Sequence, residues 1–197
     1  MKTLLTALKI FVFFTVLTGI VYPLLVTGIA QVVFPAKANG SLIVINNKTI
    51  GSKLIGQQFN STIYFNSRPS AISYNPLPSG GSNFGLTNVK LKNLVTERKK
   101  QFIVFNQLDS LTLIPSEMLF ASASGLDPHI SQKAALLQVY RVAKARNFNT
   151  IQEQNLVQSV KSLTETPQFL ILGEERVNVL VLNLELNKVD QNITNKK

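Results

Sequence analysis

The 197-residue chain has no cysteine, no tryptophan and only one histidine, His129. Without cysteine there is no disulfide framework, no thiolate metal site and no cysteine nucleophile. A single histidine also excludes a His-rich metal centre and a His–His acid/base pair. Charge is scarce as well: Asp, Glu, Lys and Arg make up 15% of the residues, against roughly 25% in an ordinary soluble domain. Acidic groups are the scarcer kind, 10 against 20 Lys and Arg, for a formal net charge of +10. The length fits one domain of about 100–200 residues with something to spare. No staple is available, so burial alone must hold the core.

The missing charge is concentrated in one place. From Ile10 to Ala36 there is no ionisable side chain other than Tyr22, and the 25 residues Ile10–Phe34 are dominated by Phe, Val, Leu and Ile. As a helix rising about 1.5 Å per residue this run covers roughly 37 Å, more than the ~30 Å hydrocarbon core of a bilayer. A cleaved signal peptide would explain the basic start and the A-x-A form of Ala36-Lys37-Ala38. Its apolar region would then far exceed the usual 7–15 residues or so. A soluble amphipathic helix would show a polar face, and none is present. The expectation is an uncleaved single-pass membrane anchor over 10–36, after a short cytoplasmic N-terminus, 1–9. Lys2 and Lys9 favour that orientation only slightly over Lys37 and Lys48. A nine-residue flank seldom carries a domain across, so residues 37–197 are placed outside the cell membrane.

Within 37–197, eighteen basic side chains face ten acidic ones. Nucleic acid is not the expected partner: the only dense basic run is Arg98-Lys99-Lys100, with no aromatic–glycine RNA-binding pattern around it. A solvated face near lipid headgroups is the expected use of this charge.

Pro35–Gly40 reads as a linker. Leu42–Ile45 and Lys48–Ile50 read as two strands about the turn Asn46-Asn47. Gly51–Leu86 is rich in Gly, Ser, Asn and Pro, yet Phe59, Tyr64, Phe65, Tyr74 and Phe84 thread through it and argue for order. The spacing of Leu91, Leu94, Val95, Phe102 and Phe105 predicts a helix capped by Thr87 or Asn88 and ending near Asn106. Arg98 interrupts that stripe with its stem along the core. A second helix is predicted from Ser131 to Asn147 with Ala135, Val139 and Val142 inward. A third would open on a Thr150/Glu153 capping box and reach Leu163. Arg176–Leu186 reads as a buried strand. Helices and strands mix without a βαβ rhythm, so the expected class is a mixed α/β, or α+β, globular domain on one transmembrane helix.

Gly51-Ser-Lys-Leu-Ile-Gly56 has P-loop glycine spacing, but Gln57-Gln58 stand where Lys and a hydroxyl are required. Ser79-Gly80-Gly81-Ser82-Asn83 offers backbone N–H groups to an anion, or a turn facing solvent. Arg68 and Ser70 either close such a pocket or pin the loop. Asp127-Pro128-His129 lies near Ser122, Ser124 and Ser131, but there is no G-x-S-x-G elbow. The first expectation is that Asp127 and Ser131 satisfy N–H groups at a helix start while His129 bonds nearby backbone. The alternative is an anchored external hydrolase using Asp127 and His129, or an anchored small-ligand-binding protein. Gln138 and Arg141 share a helix face and meet the loop motifs or water.

Taken in order, Gly51-Ser-x-Leu-Ile-Gly-Gln-x-Phe59, Tyr64-Phe-x-x-Arg68-Pro-Ser-Ala71, Ser79–Asn83, Ala123-Ser-Gly-Leu-Asp-Pro-His-Ile-Ser131, Gln138-x-x-Arg-Val-Ala-x-Ala-Arg146 and Arg176-Val-Asn-Val-Leu180 resemble the C subunit of the Kdp potassium-transporting P-type ATPase. Departures fall at Leu86, Ser116-Glu117, Phe120 and Glu175, and touch local turns only. The resemblance implies a non-catalytic accessory subunit of an ATP-driven potassium uptake complex. Its partners would be a channel-like potassium-translocating subunit, an ATP-hydrolysing P-type subunit and a small single-span subunit. It implies no cofactor and no metal of the chain's own. ATP would be met through the complex, the subunit acting as a catalytic chaperone that raises ATP affinity. Gln57, Arg68, Ser70, Ser79, Gly80, Gly81, Ser82 and Asn83 would then be nucleotide or partner contacts. Asp127, Pro128, His129, Gln138, Arg141 and Arg146 would be structural or interface positions. With residues 37–197 outside, cytoplasmic ATP does not reach Gln57 or Ser79. The expected influence is therefore one of holding a pump conformation from outside.

Overall fold

The computed structural model describes residues 1–194, with side chains through Lys188. Residues 195–197 of the expected outer unit lie outside this range. Two compact units are present, Met1–Ser52 and a second beginning at Lys53.

In the first unit one helical stretch runs from Lys2 to Val33, long and apolar enough to cross a membrane. It consists of α1 (Lys2–Val16), a π-helical turn (Leu17–Val21) and α2 (Tyr22–Val33). Pro23 explains the turn, because it has no N–H to offer the carbonyl four residues back, at Gly19. The hydroxyls of Thr15 and Thr18 donate to the carbonyls of Phe11 and Phe14 at 2.8 and 2.7 Å, which removes their polar cost in an apolar surrounding. The expected linker starts as one more helical turn, α3 (Pro35–Ala38). A hairpin follows, β1 (Leu42–Ile45) and β2 (Lys48–Ser52). Asn46 and Asn47, at φ +50° and +60°, give its two-residue turn the left-handed backbone that suits strand twist.

The second unit contains α4 (Val89–Asn106), α5 (Gln132–Ala145), α6 (Thr150–Ser162) and α7 (Val179–Thr194). Three short strands, β3 (His129–Ile130), β4 (Thr164–Glu165) and β5 (Arg176–Asn178), form an antiparallel sheet in the order β3-β5-β4. Mixed helix and sheet is therefore the architecture, as expected. The core joins Ala134, Ala135, Val139 and Val142 of α5 to Leu156 and Val160 of α6, Leu182 and Leu186 of α7, and Val177 of β5. Phe65, wholly buried, enters from the long irregular segment.

Two expectations are corrected. The strand predicted over Arg176–Leu186 lasts three residues, after which the chain is the helix α7. Its buried positions Val179, Leu182, Asn183 and Leu186 keep helical spacing, and the Asn178 side chain accepts from the Val181 N–H at 3.2 Å. The third helix is capped by Asn149, not Thr150: Asn149 and Gln152 exchange side-chain-to-backbone bonds at 2.9 and 2.7 Å. The Asn88 and Ser131 caps stand as expected. Asn106 closes α4 where expected, but apart from Asn106 the apolar stripe of that helix is only partly covered.

Among the described residues, the segment 62–66 has no strand neighbour, yet it carries Phe65 into the interior. Asn183 serves it like a strand, accepting from the Phe65 N–H at 2.8 Å and donating to the Phe65 carbonyl at 2.9 Å. Replacing Asn183→Leu orphans both groups, at about 1–3 kcal/mol each. Urea unfolding of the purified chain is expected to show a loss of about 2–4 kcal/mol with an unchanged slope.

Candidate functional site: a side-chain clamp and its loop hub

Arg141 projects from α5 and is 1% exposed. A guanidinium has five N–H donors, and all five are used. Nε bonds Asn106 Oδ1 at 2.8 Å; one terminal nitrogen bonds the carbonyls of Thr62 and Tyr64; the other bonds Asn66 Oδ1 at 2.8 Å and Gln138 Oε1 at 3.0 Å. The Phe105 ring lies 4.5 Å from the guanidinium carbon. Among the described residues no carboxylate faces this cation. Burial lowers its pKa to about 10, so it stays charged at neutral pH and is held by neutral dipoles.

Neighbours complete the clamp. Gln138 accepts from the Asn66 N–H at 2.8 Å and donates to the Asn66 carbonyl at 3.2 Å. Arg146 donates to the Ile63 carbonyl at 2.8 Å and to Asn187 Oδ1 at 3.0 Å. With Asn183 on Phe65, the carbonyls of residues 62 to 66 each receive a side-chain donor from α5, from Arg146 at its C-terminal end, or from α7. Of the two expectations for Gln138 and Arg141, meeting the loop motifs is the one the structure shows.

The segment around Asp127 is a hub for the remaining motifs. The Gly56 N–H donates to the Leu126 carbonyl at 2.7 Å, and a Cβ on Gly56 would lie 2.7 Å from the Asp127 carbonyl oxygen. Gly125, at φ +70°, leaves no room beside Ile72 for a side chain. Gly80 donates its N–H to the Ser124 carbonyl at 3.1 Å. Asn178 of β5 pairs with His129 of β3, and its amide donates to the Lys53 carbonyl at 2.7 Å. Arg68 reaches Asp127 Oδ2 at 2.7 Å. All six motif blocks therefore meet through this hub or through the clamp.

Asp127 serves the start of β3 rather than a helix: Oδ1 accepts from the His129 N–H at 3.0 Å and lies 3.4 Å from His129 Nδ1. Burial pushes its carboxyl up. The His129 side chain and backbone and the Arg68 guanidinium outweigh that and hold it at about 2. His129 thus faces Asp127 instead of the backbone acceptor expected for it. Ser131 caps α5 through Ala134 at 3.1 Å, and Ser124 accepts from the Leu126 N–H at 3.1 Å. Among the described residues no serine is hydrogen-bonded to the imidazole, so a Ser–His–Asp relay is not assembled.

Ser70 pins its loop, accepting from the N–H groups of Ile72 and Tyr74 at 3.2 and 3.0 Å. Tyr74 donates to the Arg68 carbonyl, and burial pushes its phenol up to about 12. Arg68 and Ser70 line a cavity of about 790 Å³ with Phe59, Arg98, Phe102 and Phe105; Ser79–Asn83 does not line it. Ser79, Ser82 and Asn83 are exposed elsewhere. Of the two expectations for Ser70, pinning the loop is the one the structure shows, and the Gly/Ser loop does not line the Arg68 cavity.

Asn66, Asn106, Asn183 and Asn187 carry much of the clamp and were not singled out in the sequence. The available signal was the pair Asn183 and Asn187, one helical turn apart inside an apolar run.

A family model described as K+-transporting ATPase, c chain (KdpC) matches residues 4–188. The chain belongs to the KdpC family. It is 48% identical over 195 residues to the potassium-transporting ATPase KdpC subunit of Geotalea uraniireducens (strain Rf4), covering 97% of this chain and 100% of that one. The counterpart in Dechloromonas aromatica (strain RCB) gives the same identity and coverage. That of Escherichia coli O9:H4 (strain HS) is 43% identical over 194 residues, with 97% and 100% covered.

The Asp127 contacts generate an acid dependence. A folded pKa near 2 against an ordinary value near 4 gives stability that is present above about pH 4 and lost as pH falls through about 2. Asp127→Asn is expected to lower stability at pH 7 by roughly 2 kcal/mol. It is also expected to flatten the pH 2–4 slope of the unfolding midpoint.

Proposed function

We propose that this chain is the non-catalytic accessory subunit of an ATP-driven potassium uptake complex, anchored by its N-terminal helix, which assembles and stabilises the complex. The observation that carries this reading is the end-to-end match to relatives named as KdpC subunits of a potassium-transporting ATPase. The companions proposed are a channel-like potassium-translocating subunit, an ATP-hydrolysing P-type subunit and a small single-span subunit. The N-terminus is placed in the cytoplasm and residues 37–197 outside.

The finer proposal is that the chain raises the ATP affinity of the hydrolysing subunit by holding its conformation rather than by cradling a phosphate. The use of its motif residues supports this: Gly80 spends its N–H on Ser124, and the Gln138–Arg141 pair spends its donors on the clamp. Exposed Ser79, Ser82 and Asn83 are then positions for partner contact.

Detergent extraction of the tagged chain is expected to bring the large subunits with it; recovery as a lone monomer would overturn the accessory role. Complexes prepared without the chain are expected to show a raised KM for ATP. Ser79→Ala with Ser82→Ala is expected to leave the KM of the intact complex unchanged, whereas a several-fold rise would mean direct nucleotide contact. Protease added to intact cells is expected to reach the second unit.

A further inference from the structure

Between β4 and β5 the chain turns back on itself and displays four consecutive large apolar side chains. Phe169, Leu170, Ile171 and Leu172 are 85%, 82%, 79% and 58% exposed. Such a contiguous apolar patch is rarely left bare on a soluble surface and marks an interaction site. The tip is tightly built: Gln168 and Leu172 exchange both backbone bonds at 2.9 Å, and the Ile171 N–H reaches the Gln168 carbonyl at 3.2 Å. Its two central residues, Phe169 and Leu170, sit at φ +53° and +65°. Turns of this form ordinarily take Asn-Gly, because a bulky side chain is strained there. Here both positions carry bulky apolar groups that no other part of the described structure covers. Backbone sterics and hydration both oppose this arrangement, and a partner that buries the tip removes the larger of the two costs.

The surrounding charge identifies the partner's chemistry. Against a chain of net charge +10, the stretch from Thr164 to Glu175 has three Glu and no basic residue. Arg176 is paired with Glu165 at 3.0 Å, so Glu174 and Glu175 set the sign of the collar. Membrane-surface segments pair apolar groups with Lys, Arg, Trp or Tyr, and an acidic collar opposes anionic headgroups. We propose that Phe169–Leu172 is a rigid knob that docks into an apolar pocket with a basic rim on a companion subunit of the complex. Prior ordering of the turn lowers the entropic cost of that docking. This inference rests on the accessory-subunit reading and names its contact.

The test uses the full chain in the assembled complex in native membranes. A photo-crosslinking phenylalanine analogue at Phe169 is expected to give a covalent adduct with one companion subunit, and the same analogue at exposed Lys92 none. Adducts to lipid alone, or no adduct while the chain still co-purifies, would overturn the knob and leave the accessory role standing. Failure of the unmodified chain to co-purify would instead overturn the accessory role and the knob with it. In a second arm, Phe169→Asn with Leu170→Gly supplies the residues the turn geometry favours. The thermal midpoint of the isolated chain is expected to hold or rise while recovery of companion subunits falls at least about tenfold, since two buried apolar side chains are lost. A fall in both would make the tip structural and overturn the proposal. Glu174→Lys with Glu175→Lys is expected to cut recovery at low salt and regain part of it at high salt; unchanged recovery would overturn the basic rim.

Discussion

A buried arginine held by neutral acceptors sets the terms for the rest of the globular unit. Arg141 suits the place because its planar fork sends five N–H groups in fixed directions to five neutral acceptors. Without Asn183, the N–H and carbonyl of buried Phe65 would lie inside without partners, at about 1–3 kcal/mol apiece. The partly buried carbonyls on either side are held by Arg141, Arg146 and Gln138. The segment is therefore either clamped or not inside, and Phe65 reaches the core only in the first case. Cross-linking that cysteine does not provide is supplied here by directed hydrogen bonds.

The clamp also explains how a chain with so little sheet keeps a long irregular stretch ordered. Strands β3, β4 and β5 amount to seven residues, too few to organise Lys53 to Asn88. Order in that stretch comes from points of attachment: side chains of α5 and α7 on residues 62–66, Arg68 on Asp127, Gly56 on Leu126 and Gly80 on Ser124. These attachments join positions as much as 118 residues apart in sequence. Residues that read as a scattered set of polar and glycine signatures are, in space, the two halves of each contact. Among the described residues, these bonds are spent within the domain.

How much of this could be read from the sequence depends on which force wrote it. A long apolar N-terminal helix, the two-strand hairpin, the Asn88 and Ser131 caps and the inward face of α5 follow from local rules, and the structure has them. The error over Val179–Leu186 arose because a short run rich in Val and Leu imitates a buried strand. Asn183 and Asn187 within it are side chains needed on one helix face. The Thr150 cap was missed by one residue because Asn149-x-x-Gln152 and Thr150-x-x-Glu153 are overlapping boxes, and only tertiary geometry selects between them. The separation of the Ser79–Asn83 loop from the Arg68 cavity was not legible at all, since it is decided by backbone bonds to a segment some 45 residues away. Asp127 and His129 were recognised as a pair; that they serve a strand start was not, because two-residue strands leave no periodic trace.

Side-chain satisfaction of the 62–66 backbone has one more effect. A polypeptide edge recruits other chains through its unspent carbonyls and amides, and here the five carbonyls and the Phe65 and Asn66 amides are already taken by asparagine, glutamine and arginine side chains. A partly apolar stretch whose carbonyls would otherwise be free to accept from another chain has none left unspent. The domain thereby gains resistance to self-association without lengthening a sheet or spending charge on guarding it.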